Sequence, residues 1–265
     1  EDPVRLLRAV RLAASRGLEI EARSRKPIRS LAHLLASVPP SRLFDEMLKL
    51  LLSGHAVECV TKLRKEGLHH GVLPLLDVIL EQPLGERFVT LALAQTDERV
   101  RSERPVSPAF LFAALLWHEV LAASKARQAK GERALPALEA AMDRVLDAQS
   151  EKLALTRKLT AIMREVWSMQ PRFEQRGGQR PYRLVESPRF RMAYDFLALR
   201  AASGEVSAEL EAWWRAFQAA DADVPRETFD IFCGAREQDP SESVQSLRDH
   251  HLHDLSRSLE YHDRH

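Results

Sequence analysis

Cysteine is scarce in this chain: Cys59 and Cys233 are the only two among 265 residues. Two thiols cannot build a disulfide framework or a thiolate metal site, and such a count suits a reducing compartment. The expected location is therefore the cytoplasm. Long apolar runs are missing as well. The longest, Ala109 to Trp117, spans nine residues, well short of the ~20 that cross a bilayer, and no secretory signal opens the chain. No membrane partner is expected. Alternating runs rich in Val, Ile and Thr are absent, which removes the sequence basis for a sheet. An initiator Met is absent too, so the chain reads as a fragment or a processed product.

What is present is helical. Apolar residues make up 45% of the chain, ample for a buried core, and they recur at helical spacing. Asp2-Pro3, Ser107-Pro108 and Ser187-Pro188 each offer a capping side chain followed by proline at the first helical position. The stretch SRLFDEMLKLLLSG places Leu43, Phe44, Met47, Leu50 and Leu51 on one face and ends at Gly54. AVECVTKLRKEG repeats that logic and ends at Gly67. Further helices are predicted near 86–99, 135–149, 152–169 and 206–219, with linkers at 131–134 and 172–181. The fold class is all-α, with no repeat of fixed period.

Net charge is +1, but its distribution is uneven: residues 221–265 hold 11 acidic and 5 basic residues, a balance of −6, leaving +7 on residues 1–220. The body is able to meet a polyanion, and the polar acidic tail from 221 lies outside that surface. Five of the ten histidines fall in the last 16 residues. Although His253-Asp254 and His262-Asp263 look like metal pairs, a metal hydrolase needs ligands from several packed elements and their supporting hydrogen bonds. No metal site is predicted there.

The opening helix, EDPVRLLRAVRLAAS, carries its chemistry on one flank. At ~100° per residue, Glu1, Asp2, Arg5, Arg8 and Arg11 share that flank, and Val4, Leu7, Val10 and Ala14 form the apolar face. One reading is structural: Asp2 caps the helix, Glu1 pairs with Arg5, and the arginines are solvated. The other uses hydrogen-bond types. Adenine shows a donor beside an acceptor on one edge, which a carboxylate and a guanidinium one turn apart can match. Asp2 and Arg5 have that spacing, and cytosine presents the same pair of groups. Arg8 and Arg11 can then face phosphate.

EDPVRLLRAVRLAA resembles the nucleotide-selecting helix, Glu-Asp-x-x-Arg, of bacterial poly(A) polymerases and CCA-adding tRNA nucleotidyltransferases. PPSRLFDEMLKLLLSG resembles their neck motif, in which an arginine and a glutamate brace that helix; Arg42 and Glu46 occupy those places, with Glu1 alongside. SPAFLFAALLWHEV, PRFEQRGGQRPYRLVESPRFRMAYDFLALRA and ELEAWWRAFQ are similar to the poly(A) polymerase branch in particular. The resemblance covers roughly residues 1–220. It implies a curved array of helices: a neck over 1–70, a body over 71–170, an arginine-rich RNA-binding portion over 171–220 and an acidic tail over 221–265. It further implies a separate head that binds Mg²⁺, ATP as substrate and RNA 3′ ends as partner, and a fragment that is inactive without that head. Bacterial poly(A) polymerases end in a basic extension, so the acidic, His-rich ending departs from the pattern. A CCA-adding enzyme, or a helical module that merely grips RNA or protein, stands as the alternative. Asp221-Ala222-Asp223 and Gly177-Gly178 are decoys for the head's catalytic motifs, lying in a tail and a linker.

The RNA reading rests on residues 171–191, where Arg172, Arg176, Arg180, Arg183, Arg189 and Arg191 outnumber Glu174 and Glu186. Interleaved Phe173, Tyr182 and Phe190, if exposed, would stack on unpaired bases while the arginines neutralise phosphates. The alternative is a solvated basic face over a core that takes in Phe190, Tyr194 and Phe196. His118, Trp213 and Trp214 are expected to pack rather than react, and Cys59 to be a small core residue.

Overall fold

In the computed structural model, which describes residues 2–68 and 83–223, every regular element among the described residues is helical. In chain order these are α1 (Val4–Ser15), α2 (Ala22–Ser30), a 3-10 segment (Ala32–Ser37), α3 (Pro40–Leu51), α4 (Ala56–Lys65), α5 (Pro83–Arg101), α6 (Pro108–Gln128), α7 (Ala134–Leu153), α8 (Arg157–Met169), a second 3-10 segment (Gln170–Glu174), α9 (Arg180–Val185), α10 (Phe190–Ser203) and α11 (Ala208–Asp223). Glu1, residues 71–82 of the expected body, and the tail from 224 onward with its histidines lie outside the described residues. The chain divides after Ser168 into two compact units.

In the first unit, α1 packs on α3 and α4. Its apolar face is the one read from spacing: Val4, Leu7, Val10 and Ala14 are all buried. At its start, Asp2 Oδ1 accepts the Val4 N–H at 3.2 Å. At the end of α4, Gly67 takes φ +69° and its N–H meets the Arg64 carbonyl, while Leu68 N–H reaches back to Leu63. That closure needs a left-handed residue, the reason glycine stands there. The N-terminus of α4 has no capping side chain of its own; Asp97 of α5 supplies one from 41 residues away.

The middle of this unit is α6. Ser107 Oγ caps it by accepting the Phe110 N–H, with Pro108 in the first turn. By length and composition α6 is the one described helix apolar enough to cross a membrane; in this fold it is a core helix. Leu111 through Trp117 are buried without a break, and α5 and α7 pack against it. Phe44 of α3 stacks on Phe112 at 5.4 Å, and Trp167 Nε1 donates to the Ala113 carbonyl at 3.1 Å.

The second unit gathers around Trp214, which is fully buried and donates from Nε1 to the Phe173 carbonyl at 2.8 Å. Trp213 stacks on Phe217 at 5.0 Å. Two local expectations need correcting here. Ser187-Pro188 does not open a helix: both lie in the turn between α9, which ends at Val185, and α10, which starts at Phe190 with Arg189 rather than Ser187 before it, and the Ser187 N–H closes back on the Leu184 carbonyl. The expected linker at 172–181 holds a 3-10 segment and the first residues of α9. Asp221-Ala222-Asp223 forms the end of α11.

Candidate nucleotide and nucleic-acid sites

Helix α3 grips the polar flank of α1 at two points one turn apart. Arg42 Nη2 forms an ion pair with Asp2 Oδ2, and Arg8 Nη2 donates to Glu46 Oε1 at 2.8 Å. Lys49 Nζ meets the same Glu46 oxygen at 3.0 Å. Glu46 is 4% exposed, so its charge depends on these partners. The Arg8 hydrogen bond holds its carboxyl below the usual range against the opposing effect of burial, with Lys49 adding to it.

The fold thus brings together Asp2, Arg8, Arg42 and Glu46. Asp2 uses one oxygen for Val4 and the other for Arg42, and an ionised carboxylate has about four acceptor sites, so acceptor capacity remains. Arg5, one turn along, is exposed and makes no side-chain hydrogen bond or ion pair among the described residues. Arg8, expected to face phosphate, gives one guanidinium nitrogen to Glu46. Arg11 is outside both pairs; it is half-buried, and its Nε has no hydrogen-bond partner among the described residues. Cys59 is fully buried, and burial pushes its thiol up, which makes it an inert core group.

In the second unit Arg172, Arg176, Arg180, Arg183 and Arg191 are exposed and Arg189 is half-buried. Arg191 pairs with Asp195 at 3.0 Å and sits 5.7 Å from the Tyr194 ring centroid. Arg172, Arg176, Arg180 and Arg183 have no ion pair among the described residues. The rings between them behave otherwise than the stacking picture requires. Phe173, Tyr182 and Phe190 are all buried in the core around Trp214, where Phe173 meets Trp214 edge-on at 5.0 Å. Packing has claimed the ring faces, so these three cannot stack on bases.

One basic surface escaped the sequence reading. Arg25 and Arg29 of α2 both reach Glu66, and Glu19 gathers Arg25, Lys62 and Lys65. The only available sign was the helical spacing of Arg25, Lys26 and Arg29. Among the described residues there is no group of His, Cys, Asp and Glu suited to a metal.

Comparison with known proteins gives two family matches. Residues 17–80 match a family described as the probable RNA and SrmB-binding site of polymerase A, and residues 130–246 match the polymerase A arginine-rich C-terminus. Among curated proteins, the chain is 41% identical over 227 residues to Poly(A) polymerase I of Salmonella typhi, covering 83% of this chain and 49% of the relative. It is 41% identical over 228 residues to that of Escherichia coli O157:H7, with the same coverage. Against the Haemophilus influenzae protein it is 40% identical over 230 residues, or 84% of this chain and 50% of the relative. The chain spans about half the length of the curated relatives it matches.

Proposed function

Because this chain belongs to the bacterial poly(A) polymerase family, we propose that it is the C-terminal part of an enzyme that adds AMP from ATP to RNA 3′ ends, supplying base selection and RNA binding. The observation that carries this reading is the double link between α1 and α3, Arg42 to Asp2 and Arg8 to Glu46. A base-reading helix must be held still, since an edge-on hydrogen-bond pattern discriminates only when its donors and acceptors are fixed.

In this assignment residues 1–70 act as the neck, 71–170 as the body, 171–220 as an arginine-rich RNA-binding portion and 221–265 as an acidic tail. Asp2 accepts from the adenine amino group and Arg5 donates to the neighbouring ring nitrogen. Arg8 contributes its remaining donors towards phosphate, and Arg11 is the second cation of that flank. Glu1, Arg42 and Glu46 support the helix. Arg172, Arg176, Arg180, Arg183, Arg189 and Arg191 meet RNA phosphates, with the backbone rather than the bases as their target. The Mg²⁺ ions that activate the attacking 3′ hydroxyl belong to a head outside this chain, so the chain alone is inactive, and the intact enzyme works in the cytoplasm.

Assaying the intact gene product with ATP, CTP and UTP on unstructured RNA and on tRNA tests this. Processive AMP addition to unstructured RNA is expected. CMP and AMP addition confined to tRNA would replace the reading with CCA addition, and no incorporation at all would leave a binding module.

A further inference from the structure

The two carboxylates that join α1 to α3 differ in hydration and in company. The Asp2 side chain is 23% exposed and that of Glu46 only 4%. Asp2 is served by one cation among the described residues, Arg42, together with the Val4 N–H. Glu46 is served by two, and both meet the same atom: Arg8 Nη2 and Lys49 Nζ approach Oε1 at 2.8 and 3.0 Å. Arg8 reaches across from α1. Lys49 stands in the last turn of α3, three residues on from Glu46 itself, so its ion pair adds nothing to the link between the two helices.

A second cation matters because Arg8 has two anions to serve. In the reading above it turns donors towards the triphosphate, yet it is also the counter-ion of a carboxylate that water does not reach. Were Arg8 the sole partner, each swing towards phosphate would leave Glu46 charged, buried and unpaired, which is among the costlier things a fold can do. The carboxyl cannot escape by taking up a proton near neutral pH, since the Arg8 hydrogen bond, with Lys49 adding to it, holds it below its usual range against burial. Lys49 is already on Oε1, and with its side chain 56% exposed its flexible stem can follow the carboxylate. The buried charge therefore stays compensated whichever way Arg8 points.

We infer that Lys49 is a positioning residue for nucleotide binding: it neutralises Glu46 and thereby frees Arg8 to turn to the triphosphate. This rests on the proposed reading of Arg8 as a phosphate contact. Lys49 acts wholly through Glu46 and touches neither base nor phosphate, so its influence is the same for every nucleotide.

Initial rates of the intact enzyme on unstructured RNA, over a range of ATP and separately of UTP, test this with Lys49→Met, which keeps the apolar stem and removes the charge. KM for both nucleotides is expected to rise about threefold, the scale of a partly exposed ion pair, with kcat and the ATP to UTP ratio of kcat/KM unchanged. Lys49→Arg should restore KM. In a Glu46→Gln background there is no charge to neutralise, and Lys49→Met should leave KM where it was. A lysine that merely favours the C-terminal end of α3 would instead lower the melting temperature in both backgrounds without moving KM.

An unchanged KM in Lys49→Met, when Arg8→Ala raises it, overturns the role of Lys49 and leaves Arg8 as a phosphate contact. A rise of equal size with Glu46 and with Gln at 46 means that Lys49 touches the nucleotide directly, and a shifted ATP to UTP ratio means that it acts on base reading; either result overturns the inference. If Arg8→Ala leaves KM unchanged, or the intact enzyme incorporates no nucleotide, the reading beneath it fails as well.

Discussion

The carboxylate of Asp97 accepts the backbone N–H of Ala56 at 2.6 Å, and its second oxygen accepts that of Val57 at 3.1 Å. A residue 2% exposed in α5 thus satisfies the first free donors of α4 and places negative charge at the positive end of its dipole. Asp97→Ala leaves both donors unpaired, and a loss of about 1–3 kcal/mol is expected. Asp97→Asn, which keeps one acceptor, should fall between. Chemical denaturation of the three proteins measures it, and equal stabilities would show that the contact contributes nothing.

Arg5 gives the cleanest probe of base selection, because it is exposed and its removal disturbs no described contact. In the intact enzyme Arg5→Ala should leave the melting temperature unchanged and lower the ATP to UTP incorporation ratio by about tenfold, the worth of one hydrogen bond of ~1.4 kcal/mol. Asp2→Ala should lower the same ratio and also cost stability, since Val4 and Arg42 lose their acceptor. An unchanged ratio in both variants would end the base-reading assignment.

The Glu46 carboxyl sits below its usual range, so folding favours its ionised form. That contribution is complete above the ordinary glutamate value of ~4.3 and disappears as pH falls through the lower folded value. Glu46→Gln should cost about 1–3 kcal/mol near neutral pH, and the gap to the unaltered protein should narrow in acid. Thermal melts across pH check the sign; a gap that widened in acid would contradict the pairing with Arg8.

Since Phe190 is a core ring, Phe190→Leu is expected to cost about 1 kcal/mol while leaving RNA affinity and its salt slope unchanged. A base-stacking ring would do the reverse, weakening RNA binding with little effect on the melt.

Much of this was legible where the signal is local. The apolar face of α1, the Ser107 cap and the glycine stop at Gly67 depend on residues within a turn or two of one another, and the structure has each as the spacing implies. The Arg42 and Glu46 bracing came through resemblance, because nothing in spacing tells α3 to meet α1. Asp97 could not be found: a cap donated across 41 residues leaves no mark at the helix it caps. Helix α2 was missed because it breaks the rules that announce a helix, with Pro27 inside and one buried side chain. The two open readings of Phe173, Tyr182 and Phe190 have a different source. Arginine between aromatics has the same pattern whether the rings face water or a core, and only the packing around Trp214 decides.

The burial of α6 sets a condition on how the protein is made. Residues 108–128 leave the ribosome before α7, which completes their cover and ends at Leu153. With synthesis at ~5–20 residues per second, a segment apolar enough to enter a bilayer stands without that cover for roughly 1–5 s. During that interval the nascent chain offers to chaperones, to the membrane surface and to other nascent chains a face that the finished molecule never shows.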